Sequence, residues 1–408
     1  MLFMLANTSK DVQQYLIVTG NYWAFTLTDG ALRMLVVLHF YTMGYTALQI
    51  ALLFVFYEFF GVVTNLLGGW IGARVGLNST MNTGLLLQIG ALAMLFLPNE
   101  VLSVAWVMAA QALSGIAKDL NKMSAKSAVK LLVPEDAQGT LYHWVSVLTG
   151  SKNALKGLGF FLGAGLLEWI GFRGATFSMA VMLFVILCFS VVNLRQDLGR
   201  TKAKPKFREI FSKSRSVNSL SAARLFLFAS RDVWFVVALP VYLASRLQWD
   251  HWAVGSFLAL WIMGYGLIQG VSPRITRRVN SPVPDRNIAI VWALSLAVVP
   301  FLMVLLMYFH LFPTWVLISG LFAYGCIFAV NSSLHSFLIV SYAKQSAVSL
   351  DVGFYYMANA IGRLLGTVLS GWLYVEQGLE ACLLISAIFV LLATVFSMGL
   401  PRNHCKVE

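Results

Sequence analysis

Twelve apolar runs, each as long as a bilayer crossing, follow one another along this chain and leave room for little else. Broken at Gly, Pro, Asn and charged residues, they place spans near 15–41, 47–71, 79–97, 101–131, 139–168 and 172–194. A second set lies near 219–245, 250–273, 287–310, 314–341, 346–375 and 378–400. A helix crossing the hydrocarbon core needs about 20 mostly apolar residues, and 408 residues shared among twelve spans give 34 to each with its loop. Composition agrees: 59% of residues are hydrophobic and 11% charged, against about 45–50% and about 25% in soluble domains. An ordinary soluble protein, a disordered chain and a collagen are excluded. The expected fold class is an all-α membrane protein with twelve transmembrane helices in two six-helix, pseudo-symmetric halves.

Between the two sets lies the one long polar stretch, Arg195 to Ser219, which carries Arg195, Arg200, Lys202, Lys204, Lys206, Arg208, Lys213 and Arg215. It divides the chain into an N-terminal six-helix half (1–194), a basic cytoplasmic linker (195–218) and a C-terminal six-helix half (219–408). With the N-terminus inside, tails and inside loops hold 20 of the 29 Lys and Arg, and outside loops hold only Arg173 and Arg246. The positive-inside rule then sets both termini in the cytoplasm, as expected of a multi-pass protein of the cell inner (plasma) membrane. Met1 to Gln14 contains Lys10, Asp11 and no small-residue cleavage site, so the first run is expected to be retained rather than removed as a signal peptide. The halves also repeat at one offset of 203 residues: Asp29 with Asp232, Gly61 with Gly264, Arg74 with Arg277, Gly159 with Gly362, Gly163 with Gly366 and Trp169 with Trp372. Repeats of this kind suit a transporter built from two parallel-related halves.

The net charge of +12 does not point to nucleic acid, because the cations lie mainly in short inter-helix loops rather than on a basic face. Cys188, Cys326 and Cys382 sit inside apolar runs and Cys405 in the tail, a pattern of neither a disulfide framework nor a zinc site.

Seven cations fall within the spans: Arg33, Lys118, Lys152, Lys156, Arg224, Arg231 and Arg363. An ionisable group at bilayer depth is costly, which makes each a functional candidate. Asp29 and Arg33, one helical turn apart, read either as a structural ion pair or as part of a binding or proton-coupling site. Lys118, Lys122, Lys126 and Lys130 recur every four residues and form a positive ramp for an anion arriving from the cytoplasm. Within it, Lys126 and Lys130 are expected only to solvate a helix end. Lys152 and Lys156 need counter-charge, from internal acids such as Asp119 and Glu58 or from a multiply charged substrate. Arg231 and Asp232 are neighbours about 100° apart on a helix, so they are expected not to pair, leaving Arg231 to face a cavity. A guanidinium fork fits phosphate, carboxylate or arsenate better than a sugar.

The expected substrate-binding set is therefore Arg33, Lys118, Lys152, Lys156, Arg231 and Arg363. The expected proton-coupling acids are Asp29, Glu58 and Asp232, because a buried carboxyl can exchange a proton near neutral pH. His143 and His335 are lesser candidates for a relay. Mid-span cations outnumber mid-span acids, so the small-molecule cargo is expected to be an anion. Gly157, Gly159, Gly163 and Gly165 spell a GxGxxG fragment inside a membrane helix, where Gly159-xxx-Gly163 is a close-packing face rather than a nucleotide loop. No GxSxG, HExxH or Walker loop occurs, so neither an enzyme nor an ATP-driven pump is expected, and no cofactor or metal.

After the second span, Gly69-Trp70-Ile71-Gly72-Ala73-Arg74-Val75-Gly76 resembles the loop G-x-L-a-D-R-x-G of the major facilitator superfamily. Ala73 stands where that loop has its acid, which leaves any latch built on the carboxylate missing or replaced. More specific are four charged stretches. They are Asn21-Tyr22-Trp23-Ala24-Phe25-Thr26-Leu27-Thr28-Asp29-Gly30-Ala31-Leu32-Arg33, Ser114 to Lys126, Thr149 to Gly157, and Ser230-Arg231-Asp232-Val233-Trp234-Phe235. They resemble the ArsJ organoarsenical efflux permeases, from about residue 15 through the eleventh span. The resemblance implies the major facilitator fold and export of 1-arseno-3-phosphoglycerate, which confers arsenate resistance. It also implies a functional partnership with a glyceraldehyde-3-phosphate dehydrogenase that makes this substrate by using arsenate in place of phosphate. It carries no assignment of binding residues, so the set above stands on the charges alone. Arg33 and Arg231 are similar to the paired arginines of sugar-phosphate antiporters, although the repeat offset carries Arg33 to Val236. A proton-coupled transporter of another organophosphate or carboxylate is the alternative, and a membrane enzyme or scaffold is the third reading. A monomer is expected, since both halves line one cavity in this fold.

Overall fold

A computed structural model describes residues 10–45, 53–194, 198–200, 207–210, 214–276, 284–309, 313–345 and 348–401. Among the described residues the chain is helical, with one short 3-10 turn at Phe207–Ile210 and no strand. The first half contains α1 (Lys10–Thr42), α2 (Val55–Val75), α3 (Leu77–Leu95) and α4 (Val104–Leu132), then the long Gln138–Asn193 helix. That helix breaks at Gly171, giving α5 (138–170) and α6 (172–193). The second half contains α7 (Arg215–Ser245, interrupted at 236–237), α8 (His251–Ile275), α9 (Arg286–Tyr308) and α10 (Pro313–Tyr342). It ends in Val348–Ser397, which breaks at Gly378 into α11 (348–377) and α12 (379–397). Among the described residues, twelve helices thus follow the twelve apolar runs. α7 starts at Arg215, four residues before the sequence places its span.

Helix starts are set by side chains that accept orphan amide protons. Ser103 accepts from Trp106 N–H, Asp250 from Ala253 N–H and Asp285 from Ile288 N–H. Among the described residues, six helices are long and apolar enough to cross a membrane on length and composition: Gln138–Asn193, Arg215–Ser245, Ala253–Ile275, Arg286–Tyr308, Pro313–Tyr342 and Val348–Ser397. Two of these are the broken pairs. Helices α1 to α4 are not among them, and α1 and α4 in particular carry Asp29, Arg33 and the lysine series.

Gly171 (φ 70°) and Gly378 (φ 84°) adopt the left-handed region, where only glycine turns without a Cβ penalty. At each, the chain reverses. Along α1, Ser151 lies by Trp23 and Gly159 by Gly30, so α5 runs parallel to it. Phe172 stacks on His39, Ser190 bonds Asn21 and Asn193 accepts from Gln14, so α6 runs antiparallel. The second half repeats the plan. Gly362 and Gly366 lie against Leu225 and Ala229 of α7, and α12 returns with Ser386 on Ser230 and Phe396 on Phe226.

The residues form two compact units. One comprises Met1–Leu141, Ser151–Phe211 and Ala343–Met357, the other Tyr142–Gly150, Ser212–Tyr342 and Ala358–Glu408. The first is cored by Phe25, Leu35, Phe40, Leu85, Leu92 and Phe172, the second by Trp234, Trp261, Tyr265, Leu321, Tyr324 and Phe328. Large apolar side chains also stay exposed, as a lipid-facing surface requires, including Phe184 and Val192 of α6 and Val298 and Phe301 of α9.

Candidate functional site

Within the first unit, the charges meet where α1, α2 and α4 cross. Glycine makes the crossing possible: a Cβ on Gly115 would strike the Tyr57 backbone, and one on Gly61 would sit 2.8 Å from an Asp119 carboxylate oxygen. Arg33 Nη2 lies 3.0 Å from Glu58 Oε1. Asp29 Oδ1 accepts from Tyr57 Oη at 2.6 Å. Both members of the Asp29 and Arg33 couple therefore reach across to α2. On α4, Asp119 is 2% exposed and holds Lys122 Nζ at 2.5 Å, with Lys118 Nζ at 3.8 Å. Lys118 Nζ also lies 3.7 Å from the Tyr57 ring centroid, and the Arg33 guanidinium lies 5.0 Å from it. Asp119 and Glu58, read from the sequence as counter-charge for α5, are thus each engaged by cations of α4 or α1. Lys152 and Lys156 lie half-buried on α5, and the Lys156 carbonyl packs against Gly30, beside Asp29.

The lower part of the lysine series departs from expectation. Lys126 and Lys130 are buried, not solvated. Lys122 and Lys126 lie 4.7 and 5.2 Å from the Tyr356 ring centroid, so an aromatic face replaces water around the ammonium groups.

In the second unit the centre is Asp232 of α7, fully buried. Arg231 lies at 2.5 Å through Nη2 and 2.6 Å through Nε from Asp232 Oδ1, and Arg363 of α11 reaches Oδ2 through Nε at 3.2 Å. The expectation that Arg231 and Asp232 stay apart is overturned. Their Cα–Cβ directions diverge, but a guanidinium on a three-carbon stem folds back to a desolvated carboxylate, which has strong need of it. The Arg231 guanidinium sits among the rings of Phe228, Phe235 and Phe328 at 4.9, 5.8 and 5.5 Å. One turn below Phe228, the buried Arg224 donates to Asn359 and Ser332 and packs 4.0 Å from the same ring. His335 is buried, with its Nδ1 unpartnered, and His143 is exposed.

The structure thus gathers Asp29, Arg33, Glu58 and Lys118 in one cluster and Arg231, Asp232 and Arg363 in another. Sequence reading missed Tyr57, which adjoins Glu58 but sits in an aromatic-rich run, and the polar shell of Arg224.

The sequence matches the Major Facilitator Superfamily over residues 16–349. The chain belongs to that superfamily. Its fold is that of solved members at low identity. The human organic anion transporter MFSD10 (TETRAN) shares 18% identity at a TM-score of 0.74, covering 96% of this chain and 100% of the other. The proton:xylose symporter XylE shares 13% at 0.73, covering 96% and 97%. A bacterial homologue of the iron transporter ferroportin, in an outward-facing state, shares 16% at 0.71, covering 94% and 98%. No curated protein matches in sequence. As a major facilitator, the chain is a multi-pass membrane transport protein. The superfamily loop is built without its acid: Arg74 lies 4.5 Å from the Trp70 ring centroid, and Trp70 meets Phe207 edge-on. Gly76 (φ 109°) links α2 to α3 in one residue. Arg277, the repeat partner of Arg74, lies outside the described residues.

Proposed function

We propose that this transporter is a secondary active exporter of a phosphorylated organic anion, with 1-arseno-3-phosphoglycerate as its cargo and arsenate resistance as its effect. The observation that carries the anion reading is the Asp232 centre. Two guanidiniums share one buried carboxylate, so positive charge is in excess at mid-span. Lys118, Lys152 and Lys156 add to it in the first half. MFSD10 carries organic anions, whereas XylE carries xylose with protons, so the fold admits both cargo classes and the choice rests on these charges. The arsenical rests on the resemblance of the charged stretches to the ArsJ permeases. In this reading Arg33, Lys118, Lys152, Lys156, Arg231 and Arg363 attract and hold the oxyanion heads. Asp29, Glu58 and Asp232 exchange protons as the two ends of the path open in turn. The protein works as a monomeric antiporter in the inner (plasma) membrane, both termini cytoplasmic, beside a dehydrogenase that makes the cargo.

The test is arsenate tolerance and cellular arsenic in cells stripped of other arsenic exporters, with this protein expressed alone or with an arsenate-using glyceraldehyde-3-phosphate dehydrogenase. Protection only with both supports the organoarsenical. Protection by the transporter alone points to free arsenate, and no change despite insertion leaves another organophosphate or carboxylate as cargo. Arg231→Ala and Lys152→Ala, each correctly inserted, are expected to abolish export; full export by both would sink the anion site.

A further inference from the structure

The first unit contains one side chain that touches three of the charged groups at once and that nothing in the charge pattern singles out. Tyr57 is 3% exposed and sits on α2, against the α4 backbone at Gly115. Its hydroxyl donates to Asp29 at 2.6 Å. Its ring carries the Lys118 ammonium at 3.7 Å and the Arg33 guanidinium at 5.0 Å. A phenol thus presents two chemically separate surfaces, a π face that attracts cations and an O–H that anchors a carboxylate.

The ion pairs around it differ in exposure. The side chains of Arg33 and Glu58 are 28% and 36% exposed, whereas Asp119, between Lys118 and Lys122, is 2% exposed. An anion arriving at this cluster finds Arg33 and Lys118 on one ring. A cation that moves toward an anion changes its contact with that ring, and the ring's hydroxyl is tied to Asp29.

Resting on the anion-export reading above, we propose that Tyr57 is the positioning residue of the first-half subsite: its ring places Arg33 and Lys118 for an oxyanion head, and its hydroxyl links their occupancy to Asp29. Asp29 is the acid whose proton exchange then follows the cargo. The charged and titratable groups around this link are Arg33 and Tyr22 on α1, Glu58 on α2, and Lys118, Asp119 and Lys122 on α4, while α5 brings Lys156 against Gly30. Ring and hydroxyl have separate duties, so they separate under substitution.

The experiment uses the purified full chain in detergent and 2,3-bisphosphoglycerate, a stable three-carbon acid that bears two phosphates and a carboxylate. Calorimetry in buffers of different ionisation enthalpy gives the affinity and the number of protons exchanged on binding. Tyr57→Phe keeps the ring and is expected to bind within about threefold of the parent but with a changed proton count. Tyr57→Leu loses the ring and is expected to bind about tenfold more weakly or worse. Asp29→Asn should change the proton count as Tyr57→Phe does, and the double variant should add nothing to Asp29→Asn. Equal affinity and proton count in Tyr57→Phe and the parent overturn the link to Asp29, and Tyr57→Leu binding within threefold overturns the placement of the cations. Tyr57→Phe carries the test if Tyr57→Leu does not fold. Absence of binding by the parent chain is a different failure: it removes the anion reading and this inference with it.

Discussion

Asp119 and Glu58 are both carboxylates paired to cations, yet their burial assigns them different work. Asp119 sits at 2% exposure between two lysines, so Asp119→Asn strands desolvated ammonium charge and is expected to cost about 3–5 kcal/mol. The half-exposed Glu58 is screened by water, and Glu58→Gln should cost no more than about 1 kcal/mol. Thermal unfolding of the detergent-solubilised protein checks both, and equal losses would mean that exposure does not sort them. Asp232→Asn belongs with Asp119→Asn, because it leaves Arg231 and Arg363 facing each other across an uncharged amide. Replacing Arg363 with Gln in the same chain should recover part of that loss.

At the scale of helices, the glycines decide which pairs approach closely. A Cβ on Gly362 would collide with the Leu225 carbonyl, so Gly362→Val is expected to push α11 off α7 and sharply lower the yield of monodisperse protein. Gly371 faces open space, and Gly371→Ala should be neutral or stabilise by up to about 1 kcal/mol. Size-exclusion chromatography of fluorescently tagged variants distinguishes the two. The helices themselves were legible in the sequence, because apolar length and polar breaks are local properties. The small-residue face at Gly159 and Gly163 was legible too, and it packs on Leu27, Gly30 and Ala31 as its spacing implies. The side-chain partners were not. Helical geometry separates Arg231 from Asp232, but it says nothing of how far a long stem bends toward a buried carboxylate. Lys126 and Lys130 look like a solvated helix end until Tyr356, over two hundred residues away in sequence, is seen beside Lys126. Tyr57 is hidden among Phe54, Phe56, Phe59 and Phe60, where only tertiary contact distinguishes it from a lipid-facing ring.

For the molecule as a whole, the same plan appears twice: a first helix bearing an acid, a fifth lying parallel to it on glycine, and a sixth returning alongside. Asp29 and Asp232 occupy that first helix in each half, next to the glycine crossings at Gly30 and Gly366. Proposed placement of both ends in the cytoplasm predicts that a fluorescent protein fused at the C-terminus glows, and that a phosphatase active only outside the cytoplasm stays silent there. The reverse pattern would invert the assignment. The hairpins that close at Gly171 and Gly378 also bear on how the protein is made. A turn of one residue leaves no slack between its arms, so the second arm must follow the first into the bilayer as the ribosome delivers it. Each of these pairs therefore enters the membrane as a single package, and at Gly171 and Gly378 themselves a protease finds no loop to cut.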